Sequence, residues 1–121
     1  MRFTRVPFTF TINKEAQMIL RRSELPKLEG IVQTDYPVKT TPAHDLGHFH
    51  YNITLPETQF PPHKHDDFEE KWFIINGHAT AYQNGTPHEV GPGDLVIHEI
   101  GVLHSMAAKD DVHWLCIGIH P

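Results

Sequence analysis

The stretch His63-Lys64-His65-Asp66-Asp67-Phe68-Glu69-Glu70-Lys71-Trp72-Phe73-Ile74-Ile75-Asn76-Gly77 decides how this chain is read. In a β-strand, residues i and i+2 point to one face, so His63 and His65 offer two imidazoles to a single point. Glu70 and His104 offer a carboxylate and a third imidazole to complete a candidate set for one divalent transition metal. Imidazole with carboxylate suits Mn, Fe, Co, Ni, Cu or Zn, and an octahedral ion held by four protein groups keeps about two positions open for substrate or water. Open positions imply chemistry more than scaffolding. Any one of the eleven histidines, taken alone, reads as a surface or hydrogen-bonded side chain; the constellation is what singles these out.

Outward from this stretch, His63-Lys64-His65, four residues, Glu70, six residues and Gly77 are followed by Gly93, five residues, Glu99-Ile100-Gly101, two residues and His104. This arrangement resembles the two motifs of the cupin superfamily, G-x5-H-x-H-x(3,4)-E-x6-G and G-x5-P-x-G-x2-H-x3-N. The match runs over residues 57–108, and the fifteen residues between Gly77 and Gly93 are similar to the spacing in small microbial cupins. The resemblance implies an all-β, cupin-type double-stranded β-helix (jelly-roll barrel), with His63, His65, Glu70 and His104 as the metal ligands. Glu57 stands where the first motif begins with Gly, Glu99 replaces the Pro of the second, and Ala108 its Asn; none of these is a ligand in the family. Glu69 also fits the permitted spacer, and counting back six residues from Gly77 selects Glu70. Gly77, Gly93 and Gly101 sit where the chain must reverse, a position that favours glycine.

Composition agrees with one compact soluble domain over residues 1–121, with the motif core at about 47–119 and an N-terminal arm over 1–30. A formal net charge of −5 and a pI near 6.1 argue against a nucleic-acid partner, which needs a basic patch. Arg2, Arg5, Arg21 and Arg22 are the only arginines, and they read as a solvated arm and helix face. No run approaches the ~20 apolar residues that span a bilayer, and Thr4, Thr9, Thr11 and Asn13 interrupt the apolar residues of the N-terminus, so neither a membrane span nor a secretory leader is expected. Cys116 is the single cysteine, so no intrachain disulfide forms and a reducing, cytoplasmic setting is expected. Within the apolar stretch Trp114–Ile119 it reads as a small core residue.

Along the chain, β signals dominate. Phe8-Thr9-Phe10-Thr11-Ile12 alternates apolar residues with Thr, the pattern of a half-buried strand, and Asn13 caps a short helix through about Arg22, stopped by Pro26. Short extended segments follow at 29–34, 47–55, 60–65, 69–75, 79–83, 95–98, 102–106 and 112–119. Turn signals lie at Leu55-Pro56, Asn76-Gly77, Asn84-Gly85 and Gly91-Pro92-Gly93-Asp94. The least regular stretch is Asp35–Asp45, with Pro37 and Pro42. Because unpaired strand edges invite a partner, and cupins commonly pair, a homodimer is expected in which Phe8–Ile12 adds to a sheet edge.

Strand parity describes the surroundings of the site. If Glu70 points inward, so do Trp72 and Ile74, while Lys71, Phe73 and Ile75 face away; Met106 shares a face with His104. Trp72 and Met106 are therefore candidate pocket walls, with core packing as the equal reading for Trp72. The segment His48-Phe49-His50-Tyr51-Asn52 turns inward either His48, His50 and Asn52 or Phe49, Tyr51 and Ile53. Its His-x-His could hold a second metal, although no carboxylate or third His follows at matching spacing. No Arg lies after residue 22, and Lys64 and Lys71 alternate away from the ligands, so the pocket suits a neutral or phenolic small molecule better than an anion. An oxygenase-like, metal-dependent enzyme follows as the leading expectation. The alternatives are an isomerase, lyase or cyclase with a redox-silent metal, in which His50, His98 or Tyr51 moves a proton, and a binding protein without turnover.

Overall fold

The computed structural model describes residues 19–28, 32–38 and 46–121. Among them are β1 (Lys27–Leu28), β2 (Gln33–Asp35), β3 (Leu46–Thr54), β4 (Phe60–His63), β5 (Glu69–Asn76), β6 (Ala79–Gln83), β7 (Thr86–Val90), β8 (Leu95–His98), β9 (His104–Ala108) and β10 (Val112–Ile119). They form one sheet in the order β1-β2-β3-β10-β5-β8 and a second in the order β4-β9-β6-β7, with antiparallel neighbours throughout. This is the all-β double-stranded β-helix expected from the sequence.

The inner faces of the sheets make the core, and strict alternation puts it there. On β10, Val112, Trp114, Cys116 and Gly118 are buried while the residues between them are partly exposed; on β5, Glu70, Trp72 and Ile74 are buried while Phe73 and Ile75 are 40% and 41% exposed. Trp72, Trp114 and Phe60 meet in tilted and edge-on contacts with centroids 4.8 to 5.8 Å apart. Such pairs contribute about 0.5–1.5 kcal/mol each beyond their burial. The Trp114 indole donates to Thr54 Oγ1 at 3.0 Å, so its one polar group is satisfied inside the core.

Two turns are set by their residues. Asn84 and Gly85, with φ of 50° and 83°, form the tight link between β6 and β7, where both central residues need positive φ. Gly77 has φ 89°, and a Cβ there would lie 2.3 Å from the Asp111 carbonyl oxygen. Pro61 and Pro62 lie within β4, which is tolerated because β4 is an edge strand.

Some expectations need correction. The helix expected from Asn13 to Arg22 is not seen where the chain is described: residues 19–21 are not helical, and a single 3-10 turn spans Arg22–Glu24. Arg21 is extended and Leu25, just before Pro26, is extended as well, as a residue preceding proline prefers. Residues 13–18, the strand expected at Phe8–Ile12, and most of the irregular Asp35–Asp45 stretch lie outside the described residues. The segment expected at 102–106 begins at His104, and that at 60–65 ends at His63. β7 was not anticipated at all. Among the described residues no helix is long and apolar enough to cross a membrane.

Candidate metal centre

His63 and His104 face each other across the β4–β9 ladder, where they are register partners. Glu70 is the second residue of β5 and pairs with His98 on β8, and His65 lies just past the end of β4. One ligating atom from each of His63, His65, Glu70 and His104 lies within 4.8 Å of the others. His104 Nε2 is 3.1 Å from His63 Nε2 and 3.1 Å from Glu70 Oε1; His65 Nε2 is 2.9 Å from Glu70 Oε2. Ligands at right angles on bonds of about 2.1 Å stand about 3.0 Å apart, which these three separations match, while His63 Nε2 stands 4.0 Å from Glu70 Oε1. Glu69, by contrast, is partly exposed and pairs with Lys71 at 2.7 Å.

The tautomers fit a cation too. Nδ1 of His63 donates to the Pro61 carbonyl and Nδ1 of His104 to the Val102 carbonyl, each at 2.9 Å. A carbonyl only accepts, so the proton of each neutral ring is on Nδ1 and Nε2 carries the lone pair. The two lone pairs converge with a carboxylate, and a positive ion is what such a set attracts. His65 Nε2 is buried and, at 2.9 Å from Oε2, is aimed so that no hydrogen bond forms. Burial opposes ionisation of Glu70, but His104, His48 and the Trp72 indole facing it outweigh burial and hold the carboxyl well below the usual range. Burial likewise depresses His65, keeping it neutral and available as a ligand.

A cavity of about 260 Å³ opens on these donors. Its walls are Phe60 and Pro61 on one side and Gln33, His48, His50 and Cys116 on the other, with His63, His65 and Glu70 at its base. Of the two inward sets open for β3, the structure takes His48, His50 and Asn52. Tyr51 is turned to the opposite face, where its hydroxyl meets His113 Nδ1 at 2.8 Å and Arg22 lies over its ring, so the expected catalytic role for Tyr51 has no access to the cavity. His50 does line it. Its Nε2 faces Asp35 Oδ1 at 3.1 Å, and burial, with His48 adding, lowers its pKa to about 4. His98 lies behind the donors, stacked on His104 at 4.4 Å, and burial, then His104, lowers its pKa to about 3. Gln83 Nε2 is 3.1 Å from His98 Nδ1, which then accepts, so this neutral ring supports His104 and does not reach the cavity.

Trp72 and Met106 are 0% and 1% exposed and are not among the residues lining the cavity, which corrects the pocket-wall reading of Met106 and takes the core reading of Trp72: the inward face at their level is filled by core. Trp72 instead donates to Glu70 Oε1 at 2.7 Å, fixing the carboxylate from behind. Sequence reading missed Gln33, Phe60 and Cys116 as cavity walls and left His48 in one of two alternative inward sets. A period-two signal existed for His48 with His50, whereas Cys116 sat in an apolar run that gave no hint of a cavity.

The Cupin domain family profile matches residues 51–118, more than half of the sequence. The chain is a cupin. No curated protein matches it in sequence. Among solved structures, this cupin is similar to a predicted oxalate decarboxylase from Thermotoga maritima, at 20% identity and a TM-score of 0.75 over 86% of this chain and 100% of that one. It is similar to KdgF from Halomonas sp., at 14% identity and a TM-score of 0.68 over 88% and 96% of the two chains. The salicylate 1,2-dioxygenase of Pseudoaminobacter salicylatoxidans follows at 13% identity and a TM-score of 0.64, covering 76% of this cupin and 26% of the dioxygenase. At such identities the likeness speaks for the fold.

Proposed function

We propose that this chain is a metal-dependent, oxygenase-like cupin enzyme acting on a small neutral or phenolic molecule, with His63, His65, Glu70 and His104 holding one divalent transition metal. The observation that carries the reading is the cavity itself: it opens on His63, His65 and Glu70 of the four-donor cluster, and no Lys or Arg is among the described residues lining it. An oxalate-like dianion or a phosphosugar calls for such a cation, so those substrates are disfavoured. At about 260 Å³ the cavity lies near the small end of ligand pockets, about 300–1,000 Å³. Phe60 and Pro61 offer an apolar wall to a ring, while Gln33 and the His48–His50 pair face its polar edge. The ion, when bound, supplies Lewis acidity and, if redox-active, electron transfer with O₂. Trp72 and His98 hold Glu70 and His104 in place from the dry side. A dioxygenase among the structural neighbours is in keeping with this reading.

The test is oxygen uptake by the protein loaded in turn with Fe²⁺, Mn²⁺, Ni²⁺, Cu²⁺ or Zn²⁺, against a panel of phenols, catechols and β-diketones. Substrate-dependent uptake with a redox-active ion, absent with Zn²⁺ and in His104→Ala, supports the reading. Turnover at the same rate under nitrogen would overturn it in favour of an isomerase, lyase or cyclase, with proton transfer at His50, which is neutral above about pH 4 and backed by Asp35. Tight binding of an unchanged ligand would make the chain a binding protein.

A further inference from the structure

Beside the four-donor cluster lies a second group of ligating side chains. His48 and His50 project from β3 at i and i+2, and Cys116 is the register partner of His50 on β10. One ligating atom from each lies within 4.8 Å of the others. Cys116 Sγ is 3.4 Å from His48 Nε2. A sulfur and an imidazole nitrogen on one tetrahedral ion, at about 2.3 and 2.0 Å, stand about 3.5 Å apart.

The supporting shell is also present. Asp35 Oδ1 faces His50 Nε2 at 3.1 Å and is itself held by the Gln33 amide at 2.7 Å. A carboxylate behind an imidazole fixes the proton on the nitrogen it faces and leaves the other nitrogen, Nδ1, as the donor lone pair. Gly118, opposite His48 in the ladder, makes room for the ring: a Cβ there would lie 2.8 Å from His48 Nδ1. Glu70 Oε2 stands between the two groups, 3.1 Å from His48 Nε2 and 2.9 Å from His65 Nε2.

We propose that His48, His50 and Cys116 form a second metal site that shares the Glu70 carboxylate with the first. Two imidazoles and a thiolate select a soft or borderline ion, Zn²⁺ or Cu⁺, over the harder ions that imidazole and carboxylate alone accept. Binding releases the Cys116 thiol proton to solvent, as a thiolate ligand requires. The cavity would then be walled by one ion at its base and another at its side.

Cobalt titration of the full chain, stripped of metal and kept reduced without added thiols, tests the proposal. Thiolate bound to Co²⁺ gives a near-ultraviolet charge-transfer band that imidazole and carboxylate do not. The wild type is expected to bind two equivalents and to show the band. Cys116→Ser loses the band and one equivalent, and His50→Gln, which leaves the buried cysteine in place, does the same. His104→Ala keeps the band while binding one equivalent, which separates this site from the first. A wild type without the band overturns the proposal, as does a band lost in His104→Ala, which would put the thiolate on the first ion. Retention of two equivalents by folded Cys116→Ser would overturn it as well.

Discussion

Acidification of the metal-free protein should destabilise it through His50 and His98. The His50 side chain is 18% exposed and His98 is 1% exposed, and burial lowers their pKa values from 6.5 to about 4 and about 3. A histidine whose folded pKa lies below its unfolded value binds fewer protons when folded, so its stabilisation is complete above about pH 6.5 and is lost as pH falls toward the folded pKa. Each contributes a slope of about 1.4 kcal/mol per pH unit inside that window, so the pair removes about 4 kcal/mol between about pH 7 and pH 5. His65 acts in the same direction. A domain of this size has about 5–15 kcal/mol in all, so the loss is readily seen by urea unfolding at a series of pH values. His50→Gln should roughly halve the slope. A midpoint that stays constant from pH 7 to pH 5, or rises, would refute the placement of two neutral imidazoles away from water, His50 in the cavity wall and His98 in the interior.

Trp72→Phe removes the 2.7 Å hydrogen bond to Glu70 Oε1 and should weaken metal affinity about 10- to 100-fold while the fold survives; calorimetric titration with Zn²⁺ measures it, and unchanged affinity would deny the indole a positioning role. Glu70→Gln should lower affinity by more than about 100-fold, whereas Glu69→Gln, which loses an ion pair to Lys71 of about 0–1 kcal/mol, should leave it nearly intact; the reverse order would assign the carboxylate ligand wrongly. We propose that two copies pair through the N-terminal segment, so deleting residues 1–12 should give monomer or aggregate by sizing with light scattering. An unchanged dimer after that deletion, or an intact chain that is monomeric, would remove the idea.

The donor constellation was legible because its information is local. His63, Glu70 and Gly77 sit at fixed offsets, and period-two parity carried Trp72, Ile74 and Met106 to the inner face without further input. Parity says which face a residue takes but not how full that face is, so Met106 was read as a cavity wall, and Trp72 as wall or core equally, when both are core. On β3 both faces carry aromatic or imidazole groups, so hydrophobicity could not choose between them; packing against β10 does. Thr86-Pro87-His88-Glu89-Val90 has no apolar alternation because β7 is an exposed edge strand, and its signal was confined to the Asn84-Gly85 turn before it. The Asp35–His50 contact joins strands whose pairing no spacing rule reveals.

The claim that one ion is shared by His63, His65, Glu70 and His104 is tested most directly by anomalous diffraction from crystals of the chain loaded with Zn²⁺ or Mn²⁺, collected across the metal edge. The expected result is a peak about 2.0–2.2 Å from Nε2 of all three histidines and from a Glu70 oxygen. Strong anomalous density confined to other groups, such as the exposed His78–Asp110 pair, with none among these four side chains, would contradict it.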